Sequence, residues 1–236
     1  MQAVLLAAGK GTRLRPLTDE KPKALVEVAG KPILTHCFET VVELDAEELI
    51  VVVGYEGDEI RERYGKSFSD VPITYVRQDE QLGMAHALLQ AEPYVDGDFM
   101  CVDGDCVIRS DLEPLVERQR EDGVDAVQHV ERVSTEEARV KAICDVTDEG
   151  ELLGIEKEPE DPPEPSLIAA GFAVYGPAMF DACAETELSV RGEYELAESI
   201  RRFVDDNRML VMRADGWSVN INTPGERETA ERRLRQ

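Results

Sequence analysis

Positive charge is scarce in this chain of 236 residues: 26 Lys and Arg stand against 50 Asp and Glu, a formal net charge of -24. So acidic a surface repels phosphate backbones and anionic headgroups, which argues against nucleic acid and membranes as partners. The carboxylates are spread over every polar segment instead of gathered in one tail. That is the pattern of a diffuse solvating surface suited to a salt-rich cytoplasm, not of one acidic docking face. Long apolar runs are missing too: none approaches the length that spans a bilayer, and the short one at the start lacks the basic flank of a signal peptide. Aromatic residues make up only 6%, yet 42% of the chain is apolar, ample for a globular core in one large α/β unit.

Other chemistries are removed in the same way. Cys37, Cys101, Cys106, Cys144 and Cys183 have no CxxC spacing and an odd count, which suits small buried thiols in a reducing compartment. A cytoplasmic location is expected. His36, His86 and His129 share no HxxxH or Cys-partnered spacing, so histidine supplies neither a metal site nor a general base. A GxxxxGK[ST] phosphate loop is absent as well; with Gly9-Lys10 as its GK pair, the first glycine would fall on Val4 and the hydroxyl residue on Gly11. A P-loop kinase is disfavoured.

What is present is an unbroken apolar run, Ala3 to Ala8, ending in Gly9, Gly11 and a knot of cations. It reads as a buried strand feeding a phosphate loop, since a residue without Cβ lets backbone N–H groups approach an anion. Lys10, Arg13, Arg15, Lys21 and Lys23 lie within fifteen residues of one another, and in so acidic a chain their concentration points to a polyphosphate. Strands at Leu49 to Val53, Ile73 to Arg77 and Phe99 to Asp105 alternate with helices at Ile33 to Val42 and Glu56 to Tyr64. This is the rhythm of a Rossmann-like, mostly parallel sheet with helices on both faces, whose ligands bind beyond the carboxyl ends of the strands. Gln78 follows one such end and precedes Gly83, where a helix begins; the amide suits the edge of a base and the glycine leaves room for a flat ring. Asp103 and Asp105 put hard oxygen ligands at the next strand end, as magnesium on phosphate requires.

From Glu136 the texture changes. Val140 to Val146, Leu152 to Ile155 and Leu167 to Val174 read as antiparallel strands joined by Asp148-Glu149-Gly150 and by a proline-rich loop from Glu158 to Ser166. Tyr194, Ala197, Ile200, Phe203 and Val204 form a helical stripe, Met209 to Met212 a further strand, and Thr223-Pro224 the start of a terminal helix. The expected division is one domain, 1–236, with a half at 1–130 built on the parallel strands and a small antiparallel half at 131–236.

The stretch LAAGKGTRLRPLTDEKPKALVEVAGKPIL resembles the amino-terminal signature of the sugar-1-phosphate nucleotidyltransferases, which join a nucleoside triphosphate to a sugar 1-phosphate and release pyrophosphate. The resemblance implies that Leu6, Ala7, Ala8, Gly9, Gly11, Thr12, Gln78 and Gly83 receive the nucleotide, that Arg13 and Lys23 are catalytic, and that Asp105 holds Mg2+. Asn220 stands where the family most often has Asp; acetylglucosamine-1-phosphate uridylyltransferases use Asn there as a metal ligand, and Asn220 is carried over in that role. A Glu-Lys-Pro step, Glu reaching sugar hydroxyls and Lys the sugar phosphate, matches Glu156-Lys157, though Glu158 intervenes before Pro159. The usual Tyr-Gly is replaced by Lys141-Ala142, with Ala142 small enough to pass a sugar ring. Gly171 fits a place where backbone meets a ligand; the resemblance makes that ligand the sugar phosphate, and makes 1–130 the nucleotide-binding half and 131–236 a small antiparallel sugar-binding half.

UTP or dTTP with glucose 1-phosphate is the expected pair. A phosphoalcohol cytidylyltransferase and a catalytically silent nucleotide sensor stay open, as does self-association into a homo-oligomer.

Overall fold

A computed structural model describes residues 1–139, 141–157 and 159–236, with Lys157 described by its backbone alone. Val140 and Glu158, expected at a strand start and in the proline-rich loop, lie outside the described residues.

In chain order, β1 (Gln2–Ala7) leads through the basic turn to a short hairpin of β2 (Glu27–Val28) and β3 (Lys31–Pro32), then to α1 (Ile33–Glu43). Next come β4 (Leu49–Val53), α2 (Gly57–Tyr64), β5 (Ser67–Phe68), β6 (Val71–Arg77), α3 (Met84–Ala91) and β7 (Phe99–Asp103). The chain turns at Gly104 and Asp105 into β8 (Cys106–Ser110), followed by α4 (Glu113–Gln119), β9 (Ala126–Val133) and α5 (Thr135–Ala138). The remainder is β10 (Ala142–Val146), β11 (Leu152–Lys157), β12 (Ser166–Tyr175), α6 (Ala178–Ala184), α7 (Leu196–Asp206), β13 (Met209–Met212), β14 (Gly216–Asn220) and α8 (Pro224–Leu234).

Four parallel strands, in the order β7-β1-β4-β6, form the centre of the sheet. Their apolar runs are continuous because both faces are covered. Ala3, Leu5, Ala7, Leu49, Val51 and Val53 pack with Phe38, Ile60, Leu115 and Ala230 on one face. Val4, Ala8, Ile50 and Val52 pack with Leu88, Phe180 and Phe203 on the other. Alternate side chains of a strand point to opposite faces, so a strand between two helical layers must be apolar at every position.

The antiparallel strands expected after residue 136 are present, and they extend this same sheet. β12 runs antiparallel to β7, with Phe172 opposite Val102, and β10 and β11 continue beyond it. β9 also pairs with β12, and β13 with β9.

Three local expectations change. The strand expected to Asp105 ends at Asp103, because Gly104 and Asp105 turn the chain into β8, which pairs with β14 away from the main sheet. Tyr194 is not on the helical stripe: α7 begins at Leu196, and residues 189–193 form a turn after which Tyr194 is bonded to the start of α3. Ala178–Ala184 is a helix that was not anticipated.

Carboxylates such as Asp58, Glu59, Glu62, Glu113, Glu117, Asp205 and Asp206 are exposed on different helices, so their mutual repulsion is distributed and screenable. The unfolding midpoint should rise when salt is increased from about 0.1 M to about 2 M, where the screening length drops to a few Å. A midpoint that falls or stays level on thermal melting would show that surface repulsion is not a significant destabilising term.

Candidate active site

The carboxyl ends of β1 and β7 open into one cavity of about 560 Å³. It is lined by Leu6, Ala7, Ala8, Gly9, Gly11, Thr12, Arg13, Lys23, Gln78, Gly83, Asp105 and Asn220, together with Lys10, Gln81, Asp103 and Asn222. β1 and β7 are adjacent and parallel, so the basic turn leaving one and the carboxylates leaving the other emerge side by side.

The turn is held tightly. Gly11 has φ +63°, and a Cβ there would lie 2.8 Å from Lys23 Cβ, so glycine is what lets the loop fold onto Lys23. Thr18 Oγ1 donates to Gly11 O at 2.8 Å. Lys23 is buried, its ammonium paired with Asp105 Oδ2 and donating to Asn222 Oδ1 at 2.9 Å. Arg13 Nη2 donates to the same Asn222 oxygen at 3.1 Å. Two of the five clustered cations are not part of this: Arg15 pairs with Asp19 at 3.3 Å in solvent, and Lys21 is exposed outside the cavity lining. Lys10 sits 5.9 Å over the Tyr55 ring at the rim.

Opposite the turn stand Asp103, Asp105 and Asn220. Burial, reinforced by the Asp105 carboxylate, pushes the Asp103 carboxyl up to about 7, against the opposing pull of Asn220 and Lys23. Asn220 Nδ2 donates to Asp103 Oδ2 at 3.2 Å, and its Oδ1 accepts from Cys106 Sγ at 3.3 Å. Two neighbouring carboxylates whose charges work against each other, with an amide oxygen beside them, form an oxygen donor set that fits a hard divalent cation. Among the described residues no group of three or more His, Cys, Asp or Glu forms a cage, so this partial set is the one available.

Beyond β6, Gly83 has φ +105° and a Cβ there would meet Tyr194 O at 2.5 Å. The glycine thus admits Glu193 and Tyr194 against the start of α3; Tyr194 N bonds Leu82 O at 2.7 Å and Ala85 N bonds Tyr194 O at 3.1 Å. Gln78 is buried, with Nε2 donating to Gly83 O and to His86 Nδ1, both at 3.0 Å. Since Gly83 O can only accept, the amide orientation is set, and the carbonyl oxygen is what Gln78 has left to offer. Gln81 Nε2 ties the two sides together by donating to Ala8 O at 2.8 Å.

A second cavity of about 270 Å³ adjoins the first, sharing Met84, Asp103 and Glu193. Ala142 and Gly171 line it, as do Gln128, Arg191 and Glu195. Gly171 lies where the register of β12 slips between Ala169 and Ala173, and a Cβ there would come within 3.0 Å of Cys106 and 3.2 Å of Asp103. Gln128 Nε2 donates to the carbonyls of Ala170 and Phe172, which flank the irregularity.

Glu156 is not brought here. It stands opposite Ile143 in the β10–β11 pair, while Ala142, Cys144 and Ile155 occupy the alternate face; Glu156 is exposed and lines a separate hollow with Leu153 and Glu187. The side chain of Lys157 lies outside the described residues.

Asn222, Gln81, Arg191 and Glu193 also line the two cavities and were not singled out from sequence, since none carries a local signal without its spatial partners.

A sequence model described as nucleotidyl transferase matches residues 2–218. The chain belongs to the nucleotidyl transferase family. A UTP–glucose-1-phosphate uridylyltransferase of Haloferax volcanii, AglF, is 48% identical over 237 residues, spanning 100% of this chain and 97% of that protein. A glucose-1-phosphate thymidylyltransferase of Streptomyces antibioticus is 32% identical over 208 residues, 87% of this chain and 58% of its own. A solved UDP-glucose pyrophosphorylase complexed with UDP-glucose shares the fold with a TM-score of 0.88, at 21% identity over 100% of this chain and 99% of that one.

In this nucleotidyl transferase the raised Asp103 carboxyl has a consequence for stability. The folded state keeps a proton at pH values where the unfolded chain, with a carboxyl near ~3.9, has lost it. The contribution of Asp103 is therefore full in acid and is withdrawn as the pH rises towards 7. In metal-free protein, Asp103→Asn should gain unfolding midpoint relative to wild type between about pH 4 and about pH 7 and hold that gain above it. A difference between the two proteins that does not vary with pH would assign the titration elsewhere.

Proposed function

We propose that the chain condenses a nucleoside triphosphate, UTP or dTTP, with a hexose 1-phosphate, glucose 1-phosphate first among them, to give a nucleotide sugar and pyrophosphate. The observation that carries this is one cavity in which Arg13 and Lys23 face Asp105 and Asn220, with a second cavity opening beside Asp103. Residues 1–130 supply the strands and turn of the nucleotide side, and residues 131–236 most of the acceptor side. The similarity to uridylyl- and thymidylyltransferases of glucose 1-phosphate supports the same substrates.

The reaction asks for position and charge rather than for covalent help. The acceptor phosphate is already ionised near neutral pH, so no side chain needs to act as base when its oxygen attacks the α-phosphorus in line. Arg13 and Lys23 neutralise charge gathering on the α-phosphate and on the departing pyrophosphate. Asp105 and Asn220, with Asp103 beside them, would hold Mg2+, which when bound supplies further charge neutralisation on phosphate oxygens.

Gln78 supports the choice of base. With its amide nitrogen committed to Gly83 and His86, its oxygen suits the ring N–H of uracil or thymine; cytosine presents an acceptor at that position. This favours a uridylyl- or thymidylyltransferase over a cytidylyltransferase acting on a phosphoalcohol. Five free, buried cysteines, each pushed up by burial, support a reducing, cytoplasmic setting.

Pyrophosphate release should be measured over a grid of five nucleotides and several sugar 1-phosphates in high salt, with Mg2+ and with chelator. UTP or dTTP with glucose 1-phosphate is the expected maximum, and no release from any pair would leave a nucleotide sensor as the better reading. Lys23→Ala should lose at least ~100-fold in turnover, the usual cost of one transition-state donor. Asp105→Ala should abolish magnesium-dependent release; surviving activity would move the metal elsewhere.

A further inference from the structure

We propose that Asn222 is a positioning residue: its side-chain oxygen holds Arg13 and Lys23 together as a single two-pronged receptor for the triphosphate. The inference rests on reading the larger cavity as the triphosphate site. Lys23 Nζ and Arg13 Nη2 reach the same Oδ1, at 2.9 and 3.1 Å, which keeps two like charges within about 6 Å of each other. Left alone they would repel and splay, and Arg13 in particular is exposed. Two donors converging on one atom also settle which end of the amide faces them, because a flipped NH2 would meet N–H groups.

The backbone beneath Asn222 is fixed from both sides. Its own N–H and that of Thr223 donate to Glu226 Oε2, both at 2.8 Å. Glu226 N in turn donates to Thr223 Oγ1, closing the reciprocal cap on α8. One residue earlier, Ile221 N donates to Asp105 O at 2.7 Å, tying the segment to the tip that follows β7. Asn222 is thus an acceptor on a rigid mount, spanning between the terminal helix and the turn after β1.

Its chemical type matters as much as its place. An amide oxygen accepts both hydrogen bonds and leaves both positive charges intact, so the pair still presents a net double charge to a polyphosphate. A carboxylate at this position would grip the cations harder, cancel part of their charge and compete with the phosphates. The functional optimum is therefore a neutral acceptor, and the strongest local binder of the cations should be the worse enzyme.

The test uses the full chain with Asn222→Ala and Asn222→Asp, alongside Lys23→Ala. Binding of inorganic tripolyphosphate without Mg2+ is measured by calorimetry, and kcat and KM for the nucleotide are measured separately. Asn222→Ala should weaken tripolyphosphate binding by about tenfold, the worth of a charge-assisted hydrogen bond, and lower kcat by a comparable factor. Asn222→Asp should weaken binding further and raise the nucleotide KM, while its unfolding midpoint stays at or above that of wild type.

Wild-type tripolyphosphate affinity in both Asn222 variants, with affinity lost in Lys23→Ala, would overturn the role of Asn222 and leave the phosphate site standing. Equal losses in both variants together with lowered midpoints would make the residue merely structural and overturn it too. If neither wild type nor Lys23→Ala binds tripolyphosphate, the triphosphate reading fails and takes this proposal with it.

Discussion

The contact between Lys23 and Asp105 is where the molecule's two electrostatic tasks meet. A cation rising from the turn after β1 and a carboxylate rising from the end of β7 neutralise each other across adjacent parallel strands. Around them the charges are uneven: Asp103 is half-buried beside Asp105 with its acidity suppressed, and Arg13 leans on a neutral amide. On the proposed reading this is a balanced resting state. Asp105, on giving up Lys23, would be one of the residues that hold a divalent cation, and Lys23 would turn to a phosphate oxygen, so each side chain would keep a counter-charge. Neither charged group is left buried without a counter-charge, the condition that makes such groups costly.

That balance depends on elements that contribute no chemistry themselves. β8 and β14 form a separate two-stranded unit that sets Asn220 opposite Cys106, and so places it beside the end of β7. The register slip in β12 brings Gly171 against Cys106 and Asp103, and Gln128 absorbs the carbonyls that the slip would otherwise leave without partners. Buried polar groups near both cavities are thereby satisfied by protein, which keeps the walls in one arrangement before any ligand enters.

Much of this was legible in the residues. A six-residue apolar run, two glycines and a knot of cations in an acidic chain were enough to mark the turn that lines the cavity beyond β1, because a local excess of one charge against the trend needs a cause. The parallel rhythm could be read because central strands covered on both faces must be apolar throughout. What could not be read was anything created by pairing distant segments. β8 is five residues long and directly follows two aspartates, and nothing local announces that Asn220 will lie opposite Cys106. Asn222 carries no motif of its own; it acquires meaning only when the cap of α8 swings it over Arg13 and Lys23. Glu156 shows the opposite failure: the local match to Glu-Lys-Pro was already broken by Glu158, and because a strand sends neighbouring residues to opposite faces, the parity put Glu156 outside.

The continuity of the sheet from β6 to β11 makes it a ruler. Strand β7 has β1 as its neighbour on one flank and β12 on the other, so the two cavities are separated by a spacing of about 4.8 Å per strand, set by backbone hydrogen bonding rather than by any side chain. The loop between β6 and α3 faces one end of that scale, and Ala142 and Gly171 the other. On the proposed reading either end can therefore be recut, for a different base or a different acceptor, while the distance between the reacting atoms is conserved, which would make this architecture a natural chassis for exchanging one half of a product at a time.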